Sequence, residues 1–112
     1  MKRLHHSDDI QQVWKSVRPQ RAGGFLVRMT VTQESNHRVG VIIPKKYVAK
    51  AVDRNRIKRL MREAILVWMR RNGLYQQDQK YDILMVLSRP SEPQSLAEYI
   101  TILDDAKALN VR

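Results

Sequence analysis

The hydrophobic period changes between residues 25–43 and residues 55–68, and that change limits the folds open to the chain. From Phe25 to Gln33 apolar and polar side chains alternate, with Phe25, Val27, Met29 and Val31 on one face and Leu26, Arg28 and Thr30 on the other. Arg38 to Ile43 is rich in Val and Ile and reads as a second strand, ended by Pro44. Glu34-Ser35-Asn36-His37 between them is polar and turn-like, so 25–43 is expected to be an antiparallel hairpin. From Asn55 onward Ile57, Leu60, Met61, Ala64, Ile65 and Trp68 recur at helical spacing. Gly73 suits the C′ position, with Arg70 and Arg71 in the last turn. Two periods in one short chain imply a helix laid on a sheet.

The flanking segments complete the pattern. Ser7 is a candidate N-cap, Asp8 and Asp9 suit a first helical turn, and Ile10, Val13, Trp14 and Val17 follow one helical face. Pro19 and Gly23-Gly24 end that helix and open a loop. Tyr81 to Leu87 is apolar on both faces after Asp82, as a central strand would be. Ser95 and Glu98 form a capping-box pair, and Leu96, Tyr99, Ile100 and Leu103 make another helical stripe. The expected order is α-β-β-α-β-α, an α+β two-layer sandwich in a single domain over 1–112.

Charge narrows the function. The chain has 21 Lys+Arg against 11 Asp+Glu, a net charge of +10, which draws in polyanions. The charge is clustered: Lys45, Lys46, Lys50, Arg54, Arg56, Lys58, Arg59 and Arg62 are opposed in that stretch only by Asp53. On the helix, Arg56, Arg59 and Arg70, with Arg62 nearby, lie off the apolar stripe. Planar guanidinium forks suit phosphate oxygens, and neutralised phosphates release counterions. A solvated helix face ordinarily mixes signs for i, i+4 pairs; here like charges repel unless a polyanion neutralises them. The stripe therefore points to nucleic acid.

Catalytic and metal chemistry find few candidates. With no cysteine, disulfides and thiolate metal sites are excluded. His5 and His6 lack a third ligand at metal spacing, and His37 reads as a turn residue. Asp8-Asp9 and Asp104-Asp105 sit where helix-end acids sit. No Ser-His-Asp spacing, P-loop or glycine-rich phosphate cradle is present. The opening MKRLHHSDDI has no apolar run behind it, and no stretch approaches the roughly 18 apolar residues of a membrane span, so a cytoplasmic protein is expected.

The segment Arg38-Val-Gly40-Val-Ile-Ile-Pro-Lys45-Lys46, followed by Lys50-Ala-Val-Asp53-Arg54-Asn55-Arg56-Ile57-Lys58-Arg59-Leu60-Met61-Arg62-Glu63, resembles the signature of the bacterial ribonuclease P protein component family. The R-N-R-x-K-R-x-x-R-E core of that signature is present without gaps from Arg54 to Glu63. The resemblance implies a ribosomal protein S5 domain 2-like fold with a left-handed βαβ crossover through Lys45–Arg59. It implies that Lys45, Lys46, Lys50, Arg54, Asn55, Arg56, Lys58, Arg59 and Arg62 face the ribonuclease P RNA. It also implies a cleft for the 5′ leader of precursor tRNA between the first helix and the sheet, at Ile10, Trp14 and Arg28. Family members usually carry Phe at the first apolar position of the opening helix and four residues later, where this chain has Ile10 and Trp14. Trp14 can stack on a base and Ile10 cannot. Pattern alone leaves Trp14 open between core and base platform, whereas Trp68 and Phe25 read as core.

Taken with the resemblance, the chain is expected to be a non-catalytic subunit that assists leader removal from precursor tRNA, giving the mature 5′ end. The chemistry would fall to Mg2+ ions held by the RNA subunit. The expected partners are ribonuclease P RNA and precursor tRNA, with no DNA and no membrane. A generic or ribosome-associated RNA-binding protein is the alternative. A basic amphipathic helix that binds membranes would have to leave the sheet, and Ile57 to Trp68 is committed to the core.

Overall fold

The strand at Lys80–Leu87 lies at the centre of the sheet, as its two apolar faces require. The computed structural model describes residues 1–106; the expected domain also takes in 107–112, which lie outside the described residues. In chain order the elements are β1 (Lys2–Arg3), α1 (Ser7–Ser16), β2 (Gln20–Ala22), β3 (Phe25–Thr32), β4 (Arg38–Ile42), α2 (Ala51–Arg71), a 3-10 turn (Leu74–Gln76), β5 (Lys80–Leu87) and α3 (Leu96–Asp105). The sheet order is β1-β4-β5-β3-β2. The α+β class is as expected.

The pairing of the strands differs from expectation. β3 and β4 do not form a hairpin: β5 lies between them, antiparallel to β3 from Phe25↔Leu87 to Thr32↔Lys80 and parallel to β4 from Arg38↔Asp82 to Ile42↔Val86. Alternation identifies a strand but not its partner. The turn Glu34–His37 lacks the Asn-Gly or Asp-Gly pair that closes a tight hairpin. Inserting β5 instead buries the most apolar strand on both edges and both faces. β4, α2 and β5 make a parallel crossover, with α2 starting at Ala51 rather than Asn55.

Two short strands have no counterpart in the hydrophobic pattern. The segment read as a loop at Gly23-Gly24 is a hairpin turn with φ of 52° and 88°, which pairs β2 with β3 (Ala22↔Phe25, Gln20↔Val27). Glycine has no Cβ penalty in the left-handed region, so a Gly-Gly pair closes such a turn cheaply. β1 adds in parallel to β4, where a Cβ on Gly40 would lie 2.7 Å from the Leu4 carbonyl oxygen. Gly40 is what lets β1 approach.

α2 and α3 cover one face of the sheet. Phe25, Val27, Val39, Val41, Ile83 and Met85 meet Ile57, Met61, Ile65, Trp68, Tyr99 and Leu103 there. Trp68 and Phe25 are buried, as expected. α1 covers part of the other face, where Leu4, Ile10, Val13, Ile42, Leu84 and Val86 pack together. Each buried aliphatic side chain contributes about 1.5–3 kcal/mol. The capping box holds: Ser95 Oγ accepts from Glu98 N–H at 3.2 Å, and Ser95 N–H donates to Glu98 Oε1 at 3.3 Å. Ser7 is the first helical residue of α1 and His6 takes the cap position, without a side-chain cap bond. Gly73 has φ of 70°, the left-handed conformation expected just past α2.

Candidate nucleic-acid interface

The cations of the 45–62 stretch divide among three surroundings. Lys45, Lys46 and Lys50 are exposed in the segment before α2, where the N–H groups of Tyr47 and Val48 donate to Pro44 O. Lys46 Nζ lies 4.9 Å from the Tyr47 ring centroid. Arg54 turns back on this segment and donates through Nη1 to the carbonyls of Val48 (3.0 Å) and Ala49 (2.8 Å). It therefore ties the basic loop to the helix as well as offering charge.

Successive α-helical residues are about 100° apart, so the Arg54-Asn55-Arg56 run fans out. Asn55, Lys58, Arg59 and Arg62 line one hollow of about 480 Å³, together with Arg3 and Glu63. Arg56 is exposed on another flank, close enough to α3 for its charge to act on the Tyr99 hydroxyl. The hollow thus gathers four of the nine expected residues of the basic stripe, and Lys45, Lys46, Lys50, Arg54 and Arg56 lie outside its lining.

The opposite face of the sheet carries the second group. Arg28, on β3, is 6% exposed, and its Cζ lies 3.9 Å from the Trp14 ring centroid. Its Nε and Nη1 are buried and have no hydrogen-bond partner among the described residues. Burial pushes its pKa below the ordinary arginine value. Trp14 is 45% exposed, so it belongs to the surface rather than the core. Ile10 is half-buried against the Leu4–Val13–Leu84–Val86 cluster and helps to seat α1. The structure joins Trp14 to Arg28 and gives Ile10 to packing.

Beside this pair lies a cleft of about 330 Å³ between α1 (Asp9, Gln12, Ser16) and the strand ends (Thr30, Thr32, Arg38, Asp82). Arg38 anchors it. Its Nε and Nη2 donate to the two carboxylate oxygens of Asp82, each at 2.8 Å. Its Nη1 reaches Asp9 at 3.1 Å and Glu34 at 3.4 Å. The hydrogen bonds that Arg38 donates to Asp82 outweigh burial and hold the guanidinium well above its ordinary pKa. Asp9, read as a helix-end acid, also fastens α1 to the sheet through Arg38. The available signal was Asp82, an acid at the head of an otherwise apolar strand.

His37 is not an exposed turn residue; it is 2% exposed. Its Nδ1 accepts from Tyr81 N–H at 3.0 Å, so Nε2 carries the proton and donates to Leu74 O at 3.2 Å. Tyr81 stacks on it at 6.0 Å and Tyr75 meets it edge-on at 5.5 Å. Burial is the main cause of its lowered pKa. His5 and His6 are exposed neighbours. Among the described residues no group of three or more His, Cys, Asp or Glu could hold a metal ion, and no helix is long and apolar enough to cross a membrane.

The molecule is an α+β domain with a cationic hollow along α2 and an aromatic–guanidinium pair on the opposite side of the sheet, both of a chemistry suited to polyanions. The family model described as Ribonuclease P matches residues 1–107. A ribonuclease P protein component of Syntrophobacter fumaroxidans is 36% identical over 107 residues, spanning 96% of this chain and 81% of that protein. The solved RNase P protein of Staphylococcus aureus superposes with a TM-score of 0.72 at 23% identity, over 98% of this chain and 99% of that one. The RNase P protein from Thermotoga maritima gives 0.69 at 20% identity, over 100% and 99%. These two structures share the fold. The chain belongs to the family of ribonuclease P protein components.

Proposed function

We propose that this chain grips two RNAs at once within ribonuclease P. The α2 face binds the ribonuclease P RNA, and the Trp14–Arg28 surface binds the single-stranded 5′ leader of precursor tRNA. Phosphodiester hydrolysis would fall to Mg2+ held by the RNA partner, and no residue of this chain is assigned a catalytic role. The observation that carries the reading is the Trp14–Arg28 pair: an exposed indole, backed by a buried guanidinium with two donors unpartnered among the described residues. An aromatic face accepts any base, and a cation beside it offsets the strand's charge. The net charge of +10 serves the same end, since two polyanions must approach each other. The family match favours this reading over a ribosome-associated one.

The test is cleavage of precursor tRNA by nuclease-treated protein alone, by ribonuclease P RNA alone, and by both at limiting magnesium. The expected result is no cleavage by the protein and a higher kcat/KM for the mixture than for the RNA. Cleavage that tracks the RNA-free protein through purification would refute the division of labour.

A further inference from the structure

The hollow on α2 has a sixth wall that the basic stripe does not supply: Arg3, from β1. Strand register explains its presence. Arg3 pairs with Val39, whose side chain belongs to the core under α2, while the next residue, Leu4, packs with Leu84 on the α1 side. Alternation therefore turns Arg3 towards the helix. The backbone on either side is held, with Lys2 N–H donating to His37 O and Leu4 N–H to Val39 O, both at 2.9 Å. Leu4 itself is 3% exposed. Arg3 is thus carried by an anchored strand, which lowers the ordering cost of binding.

The charges in this hollow are not balanced. Arg3, Lys58, Arg59 and Arg62 line it against Glu63 alone, and Glu63 is exposed and forms no ion pair among the described residues. Arg62 Nε is buried without a hydrogen-bond partner among those residues. Burial, and then the charge of Arg3, hold the Arg62 pKa below its ordinary value. Two guanidinium groups on different elements repel each other across a space that would admit an anion.

We propose that Arg3 of β1 and Arg62 of α2, with Arg59 beside them, form a site that grips one backbone phosphate of the partner RNA between the sheet edge and the helix. Asn55 and Lys58 border the site. This rests on the reading of α2 as the RNA-binding face and adds a contact from outside the basic stripe. It also accounts for β1, since the strand places one cation where the helix cannot.

The experiment compares wild type, Arg3→Gln, Arg62→Gln and the double variant as full chains. Binding to ribonuclease P RNA is measured across a salt series. Arg3→Gln is expected to reduce the slope of log K against log salt by about 0.7–0.9, the value of one phosphate. The double variant is expected to lose less affinity than the sum of the two singles, because both residues serve one phosphate. A wild-type slope for Arg3→Gln, or additive losses, overturns the site. Thermal melts of the free chains in inorganic phosphate provide a readout independent of that RNA. The wild-type melting temperature is expected to rise with phosphate, and that of Arg3→Gln to rise less, from a starting value no lower than wild type. Equal rises overturn the site even if the RNA reading stands. Failure of the wild-type chain to bind the RNA, with the phosphate contrast intact, counts against the proposed function and not against the anion site.

Discussion

Replacing Trp14 by Ala separates binding from folding, because the structure gives the two roles different magnitudes. A core tryptophan lost to alanine costs about 3–5 kcal/mol of stability. Trp14 is 45% exposed, and its distinct contact is the Arg28 guanidinium at 3.9 Å. A cation–π pair contributes about 0.5–1 kcal/mol where exposed and about 2 kcal/mol where desolvated; with Arg28 buried and Trp14 half-exposed this pair lies between those values. The free variant should therefore lose about 1–2 kcal/mol, well short of the core loss, where about 1 kcal/mol corresponds to roughly 4–8 °C in a domain near this size. A base stacked on the indole is worth about 1–3 kcal/mol, or roughly a 5- to 150-fold loss of affinity. The assay is a pair of titrations of the holoenzyme, with precursor tRNA carrying a leader of several nucleotides and with mature tRNA. The loss should appear with the first RNA and be nearly absent with the second. Equal losses for both RNAs, or a drop in melting temperature on the core scale, would refute the placement of Trp14 in a leader site.

Other consequences follow from the same geometry. Arg56→Ala should lower the salt slope of RNA binding by about 0.7–0.9 without loss of stability, whereas Arg54→Ala should also lower the melting temperature, because Arg54 holds the carbonyls of Val48 and Ala49. Salt-series binding and thermal melts of the two single variants check this. Asp82→Ala strips the part-buried Arg38 guanidinium of its bidentate, buried partner and should cost up to about 3 kcal/mol in denaturant unfolding; a loss below about 1 kcal/mol would mean that Asp9 and Glu34 suffice to hold Arg38. His37 has a lowered pKa in the folded chain, so its contribution is fully present above the unfolded value of about 6.5 and is lost as pH falls below it. Protonation would set a second donor against Tyr81 N–H. Unfolding free energy should fall by up to about 1.4 kcal/mol per pH unit more in wild type than in His37→Gln, and parallel pH profiles would show that His37 is not the group responsible.

Much of this fold was legible locally. The 3.6 period of Ile57 to Trp68, the Ser95–Glu98 box and the two-sided apolar run to Leu87 each depend on residues close in sequence, and each holds. What escaped the reading depends on distant partners. β5 separates β3 from β4 because its unpaired edges and apolar faces compete with the local turn, and no hairpin pattern carries that competition. β1 is two residues long and exists because Leu4 is buried beside Gly40. Gly23-Gly24 did carry the hairpin signal for β2. The site divides the same way. The cations of α2 were visible as a run, but their separation into a loop tie at Arg54, a hollow from Asn55 to Arg62 and a flank at Arg56 follows from the helix angle. Arg38 and Asp82 are 44 residues apart, as are His37 and Tyr81, so both pairings needed the folded sheet.

If the chain's partner is ribonuclease P RNA, that is the RNA it should carry in the cell. The full chain, tagged and recovered from its own cells under mild salt, should bring down ribonuclease P RNA as the dominant species, with precursor tRNAs that still bear their leaders. Combined substitution of Arg59, Arg62 and Arg56 by Ala should remove the ribonuclease P RNA. Recovery of ribosomal RNA in its place, or of ribonuclease P RNA undiminished by that triple substitution, would contradict the account.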